Sequence, residues 1–429
     1  MSPLERASPA EIADFQNTAL RQQLAYLAQN SPYYQRQFRE QQVDTAAIRL
    51  VADLAQLPFT TKDELQRHNW DFLCVPRNRV AEYSSTSGTL GEPVIIGLTK
   101  NDLTRLYRNE YLSFGCADGS ANDVYQLMLT LDRQFMAGIA YYGGLLELGA
   151  GIIRVGPGNL AAQLANIQQL QPTALVAVPS FISNLLAFAQ EQDINLNNSS
   201  IRKIVCIGES IRQDGFQPNA LAQKITSHWP KVQLYSTYAS TEKQTAFTEC
   251  GQGRGGHHQP ELIVFEIVDE AGRQLAAGET GELVVTTLGV EGMPLLRYKT
   301  GDLCAYYDEP CACGRNTRRL GPIVGRKQQL IKYKGTTLYP QTIFNVLNSF
   351  AEIAAYVVEA SKNELGTDEL SITVAFRGEQ PADTPTRLRH ALQARLRVLP
   401  TLDMAPLPAV LARQQADGKR KPSVFIDRR

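Results

Sequence analysis

Tyr83-Ser-Ser-Thr-Ser-Gly-Thr-Leu-Gly-Glu-Pro93, running into the apolar stretch Val94-Ile-Ile-Gly-Leu98, decides how the rest of the chain is read. Hydroxyl residues crowd around Gly88 and Gly91. Glycine lets a backbone turn its amides toward a ligand, and Ser/Thr hydroxyls add hydrogen bonds to phosphate oxygens. No Lys-Ser/Thr pair follows the last glycine, so this is not a Walker loop. Taken alone, the stretch reads equally well as a polar hairpin turn before a strand or as a phosphate cradle. Residues far downstream separate the two.

The 429 residues give room for one large domain and a smaller one. With 43% hydrophobic and 20% charged residues, the chain is able to bury a large core. Lys and Arg number 43, as do Asp and Glu, which argues against nucleic acid or an anionic membrane as partner. The run from Ala137 to Val155 is the most apolar, but Glu147 and five glycines interrupt it, against a membrane span. No charged segment leads into an apolar core at the N-terminus, so no signal peptide is expected. Seven cysteines, an odd number, fit a reducing cytoplasm.

Apolar residues recur at helical spacing from Pro9 to Asn30 and again from Asn101 to Phe114. Thr61 and Glu64 are placed as a capping box. Between about 135 and 240, strands and helices alternate. Asn159 caps a helix, Ala174–Val178 is a buried strand, Ser180 caps a second helix, and Lys203–Ile207 is the next strand. That alternation predicts α/β architecture with a largely parallel sheet, whose ligands sit where strands end. Gly208-Glu-Ser210 and Tyr238-Ala-Ser-Thr-Glu242 both fall at such ends. The stretch from Glu261 to Thr287 is β-rich, and after Gly325-Arg326 a compact α+β module begins. The expected division is 1–326 and 327–429.

These residues form an ordered series: the Ser84–Pro93 loop, Tyr238–Glu242, Gly281–Thr287, Arg297-Tyr-Lys-Thr-Gly-Asp302, Cys311-Ala-Cys-Gly-Arg315, Gly325-Arg326 and Gly418-Lys419. In that order the chain resembles the adenylate-forming enzymes, and within them the phenylacetate–coenzyme A ligase branch. The resemblance implies a large adenylation domain, a mobile C-terminal domain, and activation of a carboxylic acid by ATP followed by transfer to a thiol. The thiol belongs to coenzyme A or to a carrier protein's phosphopantetheine. The loop residues Ser84, Ser85, Thr86, Ser87, Gly88, Thr89 and Gly91 would hold the ATP phosphates, each charge-assisted bond contributing about 1.5–3 kcal/mol. Tyr238 would lie against the adenine beside Ala239, Ser240 and Thr241, in a pocket shaped by Gly208, Glu209 and Ser210. Asp302 would accept the ribose hydroxyls, with Arg326 nearby. Glu242 would hold Mg2+, an ion that takes hard oxygen donors. Lys419, with Arg420 and Lys421 as rivals, would bring positive charge to the carboxylate and α-phosphate during adenylation, and Gln328 would be the pivot of the C-terminal domain. Arg297 reads either as part of that series or as a structural salt-bridge former.

The acid pocket is expected to draw on Phe135, Tyr141, Tyr142 and Gly143, and on Pro179 and Phe181, whose apolar and aromatic character favours an aryl or similar hydrophobic acid. Cys250, His257, Cys311 and Cys313 carry a separate signal: two thiols, an imidazole and a third thiol suit a tetrahedral structural zinc. His258 is a rival ligand. Two departures stand out from the family pattern: Glu92 replaces a usual Lys in the loop, and Gln328-Gln329 replace a usual Asp pair at the hinge. A non-catalytic adenylate-binding protein is the alternative reading. A homodimer is compatible with either.

Overall fold

The computed structural model describes residues 2–86, 93–364, 366–378, 381–415 and 423–429. The chain forms two compact units: Met1–Gln217 with Ile225–Thr300 and Cys304–Pro322, and Pro218–Lys224 with Gly301–Leu303 and Ile323–Arg429. In the larger unit, helix α1 (Pro9–Asn30) begins at Ser8, whose hydroxyl accepts the Glu11 amide while the Glu11 carboxylate accepts the Ser8 amide. Ile12, Leu20, Leu24 and Leu27 form its buried stripe. Helices α2 (Pro32–Glu40) and α3 (Lys62–Arg67) follow, the latter entered through the Thr61/Glu64 capping box that the sequence predicts. Strands β1 (Val80–Ser85) and β2 (Ile95–Thr99) pair antiparallel, with Ser84 opposite Ile96. Two bonds close the hairpin mouth, from the Thr86 amide to the Val94 carbonyl and from the Val94 amide to Thr86 Oγ1, each 3.0 Å.

Helix α4 (Lys100–Cys116) leads to β3 (Val124–Leu127), α5 (Met136–Leu148), β4 (Gly151–Arg154), α6 (Leu160–Leu170), β5 (Ala174–Ala177), α7 (Pro179–Glu191) and β6 (Lys203–Cys206). After α8 (Ala220–His228) come β7 (Gln233–Ser240), β8 (Thr245–Glu249) and β9 (Gly256–His257). β3 to β7 pair in parallel, in the spatial order β4-β3-β5-β6-β7. Continuous apolar runs such as Ala174–Ala177 are buried on both faces, as parallel strands covered by helices require. β7 then turns back antiparallel onto β8. The sheet continues through β9 and two later strands to nine strands among the described residues. The sequence predicts that Ser180 caps α7, and the structure corrects this. Val178 is the N-cap, Pro179 takes the first helical position that suits its missing amide, and Ser180 lies inside the first turn. Its amide and hydroxyl both donate to Glu209, at 2.9 and 2.8 Å.

β10 (Ile263–Val268), β11 (Gly281–Thr287) and β12 (Tyr298–Cys304) form a second sheet, while β13 (Tyr306–Tyr307) and β14 (Arg319–Leu320) complete the first. In the smaller unit, β15 (Gly325–Arg326) pairs with Asp302–Leu303. A hairpin, β16 (Ile331–Tyr333) with β17 (Thr336–Leu338), precedes α9 (Pro340–Asn348). A four-stranded sheet then runs β20-β19-β18-β21, from β18 (Ile353–Lys362), β19 (Asp368–Phe376), β20 (Thr401–Met404) and β21 (Phe425–Asp427). Alternation along β18 serves both faces of this sheet. Val358 and Ala360 pack with α9 and with Leu388, Leu392 and Leu396 of α10 (Thr384–Leu396), while Ala355 and Val357 meet Val410 of α11 (Leu407–Gln415).

Candidate active site and metal centre

Five parallel strands end on one edge of the large sheet, and the residues just beyond them converge there. The ladder continues past the strand ends. Met128 donates to the Val176 carbonyl, Val155 and Gly156 to Leu127, and Ile207 to Ala177. Phe135, Pro179 and Phe181, Gly208–Ser210 and Ser240–Glu242 are thereby brought to this one edge. Gly208 has φ of 75°, a left-handed turn that glycine adopts at little cost, and it aims Glu209 back at the start of α7. Glu209 is therefore committed to the helix N-terminus, where a carboxylate is favoured by the helix dipole. The Ser210 hydroxyl donates to the Arg212 carbonyl at 2.7 Å.

Tyr238 and Glu242 stand on the β7–β8 hairpin. Gln244, at φ of 51°, closes the turn, and its amide donates to the Ser240 carbonyl. The Lys243 ammonium lies 3.6 Å from the centre of the Tyr238 ring, a cation–π contact that fixes the ring's orientation. Ala239 is exposed, and Ser240 and Thr241 are half-buried. Glu242 is nearly buried, at 9% exposure, and no described residue hydrogen-bonds or ion-pairs with its carboxylate.

The β1–β2 hairpin meets this edge through the Ser85 amide, which donates to the Gln134 carbonyl at 2.9 Å. Thr86 is used in the hairpin mouth. Ser84 is fully buried, with an Oγ that bonds to no described residue. Ser87, Gly88, Thr89, Gly91 and Glu92 lie outside the described residues, as does Lys419. Phe135, Tyr142 and Phe181 are half-buried. Tyr141 is in the core, edge-on to Phe114 at 5.8 Å, and Gly143 lies where α5 meets α4, so that a side chain there would run into the Tyr107 ring.

In the smaller unit, pairing of β15 brings Arg326 Nε within 2.9 Å of Asp302 Oδ1. Gln328 sits in a 3-10 turn, Lys327–Gln329. The next carbonyl, Leu330, accepts from Arg429 at 2.6 Å, and Arg429 also pairs with Asp368 and Asp427. Arg297 resolves to its structural reading. It is 2% exposed, its guanidinium holds both oxygens of Glu266 at 3.0 and 2.9 Å, and it stacks over Phe59.

Cys250, His257, Cys311 and Cys313 come together in the larger unit, with all their donor atoms within 4.8 Å of one another. Tetrahedral zinc with Zn–S near 2.3 Å and Zn–N near 2.05 Å sets donor atoms about 3.8 Å apart for two sulfurs and about 3.6 Å for sulfur and nitrogen. Cys250 Sγ and Cys311 Sγ are 3.7 Å apart, and Cys313 Sγ lies 3.5 Å from His257 Nε2. Burial, with Arg315 and Arg319 nearby, lowers the His257 pKa to about 3, leaving a neutral imidazole able to ligate. Burial opposes the Cys313 thiolate, but hydrogen bonds from the Arg315 amide and guanidinium and from the neighbouring thiols outweigh it and lower its pKa. His258 turns away, its Nδ1 at 3.0 Å from the Arg318 carbonyl. Cys116 is also spent, its thiol donating to Thr248 O at 3.2 Å.

Sequence reasoning missed the supports of this cluster. Thr317 Oγ1 is 2.8 Å from His257 Nδ1 and orients the ring, the kind of outer contact that metal-binding histidines use. Glu5, fully buried, pairs with Arg315 at 2.7 Å and ties the N-terminal turn to the cysteine loop. Neither contact has a local sequence signal, since the partners are 60 and 310 residues apart.

Residues 25–292 match the AMP-binding enzyme family, and the chain belongs to that family. Its branch is the adenylate-forming, phenylacetate–coenzyme A ligase-like one. It is 29% identical to the phenylacetate–coenzyme A ligase of Thermus thermophilus over 97% of either chain. The Escherichia coli enzyme of the same name is 26% identical, over 92% of this chain and 91% of its own. A crystal structure of 2-hydroxyisobutyryl-CoA ligase in its postadenylation state shares the fold. Its TM-score is 0.87 at 20% identity, over 99% of this chain and 91% of that one.

Proposed function

We propose that this protein joins a carboxylic acid to the α-phosphate of ATP, releasing pyrophosphate, and then passes the acyl group to the thiol of coenzyme A, releasing AMP. The observation that carries the reading is Glu242, a nearly buried carboxylate that no described residue pairs, on a hairpin at the strand-end edge beside Tyr238. Two anions must meet in adenylation, so the site serves by positioning and charge stabilisation more than by covalent catalysis. Glu242 would hold Mg2+, which neutralises phosphate oxygens. The Tyr238 ring, oriented by the Lys243 ammonium, would lie against the adenine. Asp302 would receive the ribose hydroxyls, and its bond to Arg326 fixes its orientation. The loop from Ser84 to Gly91 would cradle the phosphates, and Lys419 would enter to offset the combined charge of carboxylate and α-phosphate.

Residues from about 327 onward act as the mobile domain, turning about Gln328 between the two half-reactions. Coenzyme A is favoured as acceptor because the nearly full-length relatives carry it in their names. An aryl acid is favoured by the half-buried Phe135, Tyr142 and Phe181. The Cys250/His257/Cys311/Cys313 set would hold a structural zinc, a reading supported by two donor separations close to those of a tetrahedral site. AMP release, measured with ATP, an aryl acid and coenzyme A and with each left out in turn, tests the reading. AMP must require both the acid and ATP. Acid-independent AMP, or none with any acid, overturns it.

A further inference from the structure

Strand β8 ends on a carboxylate that the ligase reading leaves without a role. Glu249 is 2% exposed and stands immediately before Cys250 of the metal cluster. The Arg212 guanidinium holds both its oxygens, with Nε 3.2 Å from each and Nη2 3.0 Å from Oε2. Oε2 also accepts the Ser236 amide at 3.3 Å. Each of these partners leads, within two residues, to a wall of the proposed adenine slot. Arg212 follows Ser210 by two positions, and the Ser210 hydroxyl ties them together. That hydroxyl donates to the Arg212 carbonyl at 2.7 Å and accepts the Arg212 amide at 3.2 Å. Ser236 precedes Tyr238 by two positions on β7. Strands β6 and β7 run parallel with Cys206 opposite Ser236, so the same register carried on by two residues sets Gly208 level with Tyr238. The far side of Arg212 is closed by the turn after Cys250. There the Gly253 amide donates to the Cys250 carbonyl at 3.0 Å, and a side chain on Gly253 would run into the guanidinium.

We propose that Glu249 is a positioning residue for the purine of ATP. Through Arg212 it holds the Gly208–Ser210 wall, and through the Ser236 amide it holds the Tyr238 wall, so one carboxylate sets the spacing of the two. The inference rests on the ligase reading and on these two stretches forming the adenine slot. A guanidinium engaged through two nitrogens is fixed in angle as well as distance, which a single bond does not achieve. Glu249 itself touches no substrate. The purine lies remote from the reacting phosphate, so its hold on the enzyme is the same before and during the reaction. Slackening such a hold raises KM and leaves kcat in place.

The test is acid-dependent ATP–pyrophosphate exchange by the full chain, with phenylacetate among the aryl acids tried. Wild type, Glu249→Gln, Arg212→Lys and Arg212→Met are compared for kcat and for KM toward ATP, acid and pyrophosphate. Glu249→Gln keeps the shape and loses the charge, and should raise the KM for ATP roughly tenfold. The other constants should stay within about twofold. Pyrophosphate carries no purine, so its KM moves only if the fold as a whole has loosened. Arg212→Lys, which keeps a cation, should raise the KM for ATP less than Arg212→Met does. Arg212→Met combined with Glu249→Gln should be no worse than Arg212→Met alone, since both break one link. An unchanged KM for ATP, a parallel rise for ATP and pyrophosphate, or a loss confined to kcat overturns the proposal while leaving the ligase reading in place. A wild-type chain silent in exchange with every aryl acid overturns both. If Glu249→Gln fails to fold, Arg212→Lys decides by the same split, and an unchanged KM for ATP there overturns the proposal.

Discussion

Replacing Arg297 with Met should unfold the larger unit more easily without touching the chemistry. The guanidinium and the Glu266 carboxylate are 2% and 5% exposed, joined through two bonds, and Arg297 also donates to the Leu57 carbonyl. Removing the cation strands a buried carboxylate and a carbonyl together. Breaking one side of a buried pair costs about 3–5 kcal/mol, several times the worth of an exposed bridge. The methionine stem retains much of the packing on Phe59, so the loss is electrostatic. Adding Glu266→Leu removes the stranded charge and should restore most of the lost stability, because the desolvation penalty goes with it. Urea unfolding followed by tryptophan fluorescence reads this directly, since Trp70 and Trp229 both belong to the larger unit. A loss below about 1 kcal/mol, or a double variant no better than the single, would refute the electrostatic account. Unchanged stability with a slowed adenylation step would instead place Arg297 in the reaction.

Elemental analysis of protein purified without added metal should find one zinc per chain, and Cys311→Ser should lower both zinc content and thermal midpoint; a metal-free chain of full stability contradicts the site. Lys419→Ala should slow adenylation by about 10²–10³ while leaving thioester formation from presynthesised acyl-adenylate largely intact, and equal losses in both half-reactions would remove Lys419 from that role. Gln328→Pro should retain pyrophosphate exchange and lose thioester production, because proline fixes φ and removes an amide; retention of both places the pivot elsewhere. The folded chain holds the Glu110 proton more tightly than the unfolded chain, so that contribution is complete below about 4.5 and is lost as pH rises toward about 8. Glu110→Gln should flatten that limb of the pH–stability curve, and an unaltered slope counts against a neutral buried carboxyl.

Where local chemistry sets the structure, the sequence was readable. The capping box at Thr61 and the apolar strand beginning at Ala174 are local patterns, and the structure forms them in place. The Cys250/His257/Cys311/Cys313 cluster was readable for a different reason: thiols and imidazole are few, and Cys-x6-His with Cys-x-Cys leaves few groupings. The bond of Glu209 to Ser180 left no local signal, because its partner is a helix start 29 residues away. Ser180 looked like the cap only because that long-range carboxylate was invisible. Glu110 left a trace that was overlooked. It is four residues from both Leu106 and Phe114, so it lies on the buried stripe of α4, where a carboxylate is out of place. No periodicity announces Arg297, whose conformation at φ of 45° and buried partners come from strands distant in sequence.

The most direct test of the central claim is a single turnover without the thiol. Enzyme, ATP, Mg2+ and an aryl acid are mixed, quenched and analysed by mass spectrometry for acyl-adenylate and pyrophosphate. The account predicts both in equal amounts, up to one per enzyme, with the adenylate discharged to thioester and AMP when coenzyme A is added. Coenzyme A consumption without any prior adenylate, or no adenylate with any of the aryl acids, would contradict it.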